Sequence, residues 1–240
     1  MTGPPVGPPR VRRRAVGVPA DLVDRLGRHG VATVHEAYHR RGLMTGLTAL
    51  DPARDACGPA VTALCHAGDN LMLHAAIAEC APGDMLVVAT LAPSHHGMFG
   101  DLLATLCQAR GVAGLVIDAG VRDTRDIRRA GFPVWSRTVS AAGATKQAAG
   151  WVNTPVVCGG VLVSPGDVAV ADADGVVVVA ADEVATVLAA AQARERDEAA
   201  IRARYATGQG KDVSELLARA GVVIDTSDVG ENSVSSQTVA

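Results

Sequence analysis

An arginine followed at once by an aspartate, Arg122–Asp123, stands just beyond the apolar run Gly114–Asp118 and the loop Ala119–Gly120–Val121. A guanidinium is a planar fork that fits a carboxylate or an enolate oxygen. The carboxylate beside it suits a hard cation such as magnesium or manganese, which takes one or two protein carboxylates and keeps several waters. The same two residues also read as a surface ion pair, with Asp123 capping a helix. A second group is Phe99–Gly100–Asp101–Leu102–Leu103, where a helix begins directly after a glycine. The open N–H groups of that first turn and the positive helix end make a seat for a carboxylate. An ordinary helix start, with Asp101 complementing the dipole, also accounts for these residues. The acids Glu195, Asp197 and Glu198 read as the solvated face of a late helix. His95 and His96 are adjacent in a loop and lack a third clear metal ligand, while His35 and His74 read as core histidines on apolar helix faces.

These groups need a scaffold. From Met85 to Trp135 apolar strands alternate with helices, as in a parallel βαβαβ unit: strand Met85–Ala89, helix Gly100–Arg110, strand Gly114–Asp118, a helix ending near Ala130, and strand Phe132–Ser136. Ligands in such sheets sit beyond the carboxyl ends of the strands. Upstream, Pro19–Arg28 reads as a short helix and Thr33–Val34–His35–Glu36 as a capping box opening another. Gly58–Cys65 reads as a strand and Asn70–Cys80 as a helix capped by Asp69 or Asn70. Downstream come short strands at Val156–Cys158, Val161–Val163, Asp167–Ala171 and Gly175–Ala180, then a long helix, Ala181–Tyr205. The two Pro-Gly-Asp sequences, ending at Asp84 and Asp167, read as structural corners. The expected organisation is a leader at 1–18 that forms a solvated arm, a body at 19–225, and a flexible polar tail at 226–240.

Composition narrows the function classes. Hydrophobic residues make up 48% and charged residues 20%, which suits a globular protein with one sizeable core. Only six residues are aromatic, and the net charge is −3 with signs mixed, which argues against a nucleic-acid platform. No apolar run is long enough to span a bilayer. Five scattered cysteines without CxxC spacing read as reduced, buried thiols of a cytoplasmic protein.

An ordered set of short motifs then carries a resemblance. It includes Gly58–Pro59–Ala60, Gly68–Asp69–Asn70, Pro82–Gly83–Asp84, Gly100–Asp101–Leu102–Leu103, Ile117 through Asp123, Phe132–Pro133–Val134–Trp135 and Pro165–Gly166–Asp167. From about Leu22 to Gly208 the chain resembles the family of 4-hydroxy-4-methyl-2-oxoglutarate and 4-carboxy-4-hydroxy-2-oxoadipate aldolases, which also contains the regulator of ribonuclease activity A. Thr33–Ala37 and the segment Gln192–Glu198 favour the aldolase branch. The resemblance implies an α/β fold of the swivelling β/β/α type, a single domain with a central mixed sheet flanked by helices. It implies a class II, Mg2+- or Mn2+-dependent lyase that releases pyruvate from a small oxo acid, with oxaloacetate decarboxylation as a side activity. By position, the Gly100–Leu103 amides bind the pyruvoyl carboxylate, Arg122 binds the substrate oxygens, Asp123 ligates the metal, and Asp101 holds a metal-bound water. Glu198 reaches toward a neighbouring subunit's site in a homotrimer or hexamer. The chain departs from the family pattern in its Pro/Arg leader, in Ser94–Met98 and after Thr207. A non-enzymatic regulator that binds a ribonuclease is the rival from another class. A methyltransferase is disfavoured because no glycine-rich loop followed by an acidic residue trails an early strand. No lysine sits among the motif residues, which disfavours a Schiff-base aldolase.

Overall fold

The computed structural model describes residues 7–14 and 17–223. They fall into two compact units that divide after Arg196. The first unit begins with β1 (Arg10–Val11), α1 (Ala20–Leu26), α2 (Val31–Ala37), β2 (Thr48–Ala49) and β3 (Ala56–Cys65). There follow α3 (Leu71–Glu79), β4 (Met85–Thr90), β5 (Gly97–Phe99), α4 (Asp101–Ala109), β6 (Gly114–Val121), α5 (Thr124–Ala130) and β7 (Val134–Val139). Then come β8 (Trp151–Val152), β9 (Val156–Cys158), β10 (Val161–Val163), β11 (Val168–Asp172) and β12 (Gly175–Val179). The unit boundary lies inside α6 (Val184–Ala206), and the second unit also holds α7 (Ser214–Arg219).

Strands β3, β4, β6 and β7 lie side by side and parallel, joined through α3, α4 and α5. Antiparallel neighbours complete a mixed sheet: β2 on β7, β8 on β3, and β11 on the first half of β3 with β12 beyond it. The fold is therefore α/β with a central mixed sheet flanked by helices. Strand β4 and the first half of β6, Gly114–Ile117, are continuous apolar runs because both of their faces are covered. Their side chains alternate between two cores. Leu86, Val88, Leu115 and Ile117 pack in the core that also takes residues of α3, α4 and α5, whereas Met85, Val87, Ala89, Val116 and Trp135 pack with residues of β9, β10 and β11. A third cluster joins α1, α2 and the start of α6 to Val168, Val170, Val177 and Val179.

Both Pro-Gly-Asp sequences form corners of the same kind, with Gly83 and Gly166 at positive φ and each aspartate accepting the N–H three residues before it. Other expectations are corrected. Helix α2 starts at Val31, ahead of the Thr33–Glu36 capping box, because the Val31 N–H donates to the carboxylate of Asp172 at 2.8 Å, a partner 141 residues away. The loop expected to carry His95 and His96 ends in the short strand β5, Gly97–Phe99, which pairs with β6. Strand β6 itself runs to Val121, past the expected end at Asp118.

The reading of 1–18 as a solvated arm fails for its described part. Arg10–Val11 pair with Trp151–Val152, and the Asn153 amide donates to the Arg12 carbonyl at 3.0 Å. The Arg14 guanidinium lies on both oxygens of Asp84 at 2.5 and 2.6 Å. The cause is local: β8 presents an edge, and the Asp84 carboxylate, 1% exposed, needs a counter-charge. Residues 1–6 and 15–16 of the leader, and the tail at 226–240, lie outside the described residues.

Candidate active site

The carboxyl end of β6 delivers Arg122 and Asp123, and the end of β5 delivers Gly100 and α4. The two ends are tied together, for the Arg122 N–H donates to the Phe99 carbonyl at 2.8 Å. Gly120 permits this approach, since a Cβ there would lie 2.6 Å from the His96 carbonyl oxygen.

Asp123 stands at φ 55° and ψ 35°, a left-handed conformation that aspartate tolerates better than most residues. It precedes α5, yet its side chain makes no capping bond to that helix. The carboxylate turns instead to α4: Oδ2 accepts the Asp101 N–H at 3.4 Å and lies 3.4 Å from the Arg122 Nε. The capping alternative is thus met only by backbone, and the side chain serves the junction between β6 and α4. In the first turn of α4, the Leu103 and Ala104 amides donate to the Gly100 carbonyl at 3.1 and 3.0 Å. Within the expected Gly100–Leu103 seat, the Asp101 amide is held by Asp123 and the Leu103 amide by Gly100, so of the helical amides that of Leu102 is left for an external acceptor.

A pocket of about 190 Å³ opens over these groups. Gly100, Asp101, Leu102, Leu103, Arg122 and Asp123 all line it, so the structure brings together the sequence-predicted residues of both motifs. Glu198 lies on the part of α6 that belongs to the second unit, where it pairs with Arg202 at 3.9 Å. Glu195 is bonded to the His29 Nδ1 at 2.7 Å. His95, His96 and His35 are absent from the pocket lining, and the His96 ring packs against Gly68.

Three polar wall residues were not among the sequence-predicted site residues: Asn70, His74 and Lys146. Asn70 precedes α3 but makes no side-chain cap. Its amide nitrogen donates to the Met98 carbonyl at 2.7 Å, and its Oδ1 is buried without a partner among the described residues. His74 is half-buried at the pocket rather than in the core, and burial, followed by the nearby Lys146 charge, pushes its pKa down. Lys146 reaches the pocket from a loop after β7, so the absence of a lysine from the motifs is not an absence from the site. Asp69 organises that loop: it accepts the Thr145 hydroxyl at 2.7 Å and the Gln147 and Ala148 amides at 2.6 and 3.1 Å. Burial alone raises its pKa, but these bonds and one from the Leu71 amide outweigh it and hold the carboxyl at about 2.

Among the described residues no three His, Cys, Asp or Glu side chains converge on one point. That is unlike a closed zinc site. The nearby donors are the carboxylates of Asp123 and Asp101 at an open pocket, a set that fits a hard cation carrying several waters. No helix among the described residues is long and apolar enough to cross a membrane.

Comparison with known proteins agrees with this fold. A Halalkalibacterium halodurans protein named "Putative 4-hydroxy-4-methyl-2-oxoglutarate aldolase" is 36% identical over 143 residues, covering 60% of this chain and 68% of its own. The solved structure of Streptomyces coelicolor RraAS2, described as an unusual member of the RNase ES inhibitor RraA protein family, superposes with a TM-score of 0.72 at 33% identity, covering 78% of this chain and 98% of that one. That of an S-adenosylmethionine:2-dimethylmenaquinone methyltransferase from Geobacillus kaustophilus gives 0.59 at 28% identity, covering 64% and 96%. The family model described as Aldolase/RraA matches residues 20–178, and the chain belongs to that family.

Proposed function

We propose that this protein is a divalent-metal-dependent class II aldolase that cleaves 4-hydroxy-4-methyl-2-oxoglutarate or 4-carboxy-4-hydroxy-2-oxoadipate to pyruvate and a second oxo acid. One observation carries the reading: Arg122, Asp123 and the amino end of α4 line a single pocket. The Leu102 amide and the positive helix end seat the carboxylate of the 2-oxo acid. Arg122 presents its guanidinium to the 2-oxo oxygen, where charge builds as the C3–C4 bond breaks and an enolate forms. Asp123 and waters hold Mg2+ or Mn2+, which supplies Lewis-acid polarisation of that oxygen when bound. Asp101 holds a water that takes up the C4 hydroxyl proton as the C3–C4 bond breaks and then delivers a proton to C3 of the enolate, giving pyruvate. Oxaloacetate decarboxylation passes through the same enolate and is the expected side activity. A cytoplasmic setting, a homotrimer or hexamer, and a contribution of Glu198 to a neighbouring subunit's site belong to the same reading. Asp123→Asn is expected to abolish nearly all turnover even at saturating magnesium, and substantial retained activity would remove Asp123 as the metal ligand.

The likeness to RraAS2 favours a second reading, a regulator that binds a ribonuclease without catalysis. Capture of a purified ribonuclease by this protein, together with no pyruvate released from any of the oxo acids, would put that reading first.

A further inference from the structure

The described part of the leader is held by polar contacts. Pro8, Pro9 and Val11 are all exposed, so residues 7–14 bury little apolar surface. Their anchors belong to the body of the protein. The Arg10 and Arg12 amides donate to the carbonyls of Gly150 and Val152 at 3.0 and 3.2 Å, along the outer edge of β8. The Trp151 indole N–H donates to the Pro8 carbonyl at 3.1 Å, and the Asn153 side-chain amide holds the Arg12 carbonyl. Beyond these strand residues the groove turns acidic. Arg13 lies on Glu79 at 2.8 Å, and the Arg14 fork spans both oxygens of the buried Asp84. Main-chain bonds to a sheet edge, with side-chain sites beyond it, are the anatomy of peptide recognition by strand addition. The leader stands outside the family pattern, whereas Asp84 belongs to the Pro-Gly-Asp motif, so the acidic end of the groove is a feature of the body. A segment with so little apolar burial opens at a far lower free energy than the core strands do.

We propose that this groove is a docking site for an extended, arginine-bearing segment of a partner protein, and that the leader is its resident competitor. Charge complementarity names the occupant. The edge of β8 accepts the backbone of any extended segment, but Glu79 and Asp84 call for two consecutive cations just after the strand residues, where the leader has Arg13 and Arg14. Asp84 offers both oxygens to one donor group, a geometry that fits the planar fork of arginine and not the point charge of lysine. None of these groups lines the pocket, so the groove stands whatever reaction runs there.

The probe is a fluorescent peptide copying Gly7–Arg14. The acceptor is the full-length protein carrying Arg10→Pro, Arg12→Pro and Arg14→Met, which strips its own leader of both ladder donors and of the fork on Asp84. Fluorescence anisotropy should show the peptide binding this variant about tenfold or more tightly than the native protein, where the tethered leader competes at an effective concentration on the order of millimolar. The same peptide with Arg14→Lys, equal in charge, should bind about fivefold or more weakly. Binding without that discrimination reduces the groove to a general attraction of charge and overturns the proposal. So does equal binding to variant and native protein, or no binding to a variant that circular dichroism shows to be folded. If the variant does not fold, hydrogen exchange in the native protein decides. Arg10 and Arg12 amides that exchange about 100-fold or more faster than those of β4 support a displaceable leader, and exchange as slow as in β4 overturns it. A native oligomer that dissociates on introducing the three substitutions would seat the leader of a second copy in the groove and overturn the partner protein as its occupant.

Discussion

Gly100→Ala perturbs the site while sparing the fold. Gly100 has extended backbone, φ −141° and ψ −172°, which alanine adopts without strain. A Cβ at this position would collide with the Asp123 Oδ2 and lie 3.1 Å from the Arg122 Nε. Ordinary contact distances of about 3.5 Å are restored only if the carboxylate retreats by roughly 1 Å and the guanidinium shifts with it. A displacement of that size costs about 100-fold in rate, or about 2.7 kcal/mol of transition-state stabilisation. The backbone effect on stability is small and favourable, about 0.4–1 kcal/mol, because alanine restricts the unfolded chain. Gly100→Ala should therefore lower kcat/KM for pyruvate release about 100-fold while the melting temperature stays within about 3 °C. The assay is release of pyruvate coupled to lactate dehydrogenase, beside a thermal melt followed by circular dichroism. Activity within threefold of the native protein would refute the placement of Asp123 and Arg122 against α4. Lost activity with a melting temperature lowered by about 10 °C or more would show that the substitution acts through folding.

Two stability predictions follow from the buried carboxylates. Arg14→Met leaves Asp84, 1% exposed, with the Ala81 amide as its remaining donor, at a cost of about 3 kcal/mol and a fall in melting temperature of about 6–12 °C. A melt unchanged within 2 °C would mean that the leader contributes nothing to the fold, and recovery by Asp84→Asn on that background would identify the uncompensated charge as the cause. Asp69 has a folded pKa of about 2, below its unfolded value of about 3.9, so its stabilisation is complete above pH 4 and fades as pH falls through 2. Urea unfolding at pH 5 and pH 2.5 should show a steeper acid loss in the native protein than in Asp69→Asn, and equal slopes would contradict the clamp.

The parallel core was legible because β4 and the first half of β6 are apolar runs bounded by Gly and Pro, a signal carried by neighbouring residues. Arg122–Asp123 and the start of α4 were legible as candidates by residue type. Whether Asp123 caps α5 or turns to α4 depends on the pairing of a three-residue strand, β5, with β6, which local pattern does not specify. Lys146 and Asn70 share no local motif, and their meeting depends on hydrogen bonds that Asp69 accepts from residues 76–79 positions away. The leader was misread for the same reason: its basic run looks solvated until Asp84, 70 residues on, is known to be buried beneath it. What escaped the sequence is chiefly long-range polar pairing, which has no periodicity to read.

The most direct test of the central claim is pyruvate release from 4-hydroxy-4-methyl-2-oxoglutarate, 4-carboxy-4-hydroxy-2-oxoadipate and oxaloacetate, with magnesium or manganese and then with EDTA. The aldolase account predicts release from at least one of the two hydroxy acids, and from oxaloacetate more slowly, all of it abolished by EDTA and restored by added metal. Release that persists in EDTA, or no release from any of the three with either metal, would contradict it.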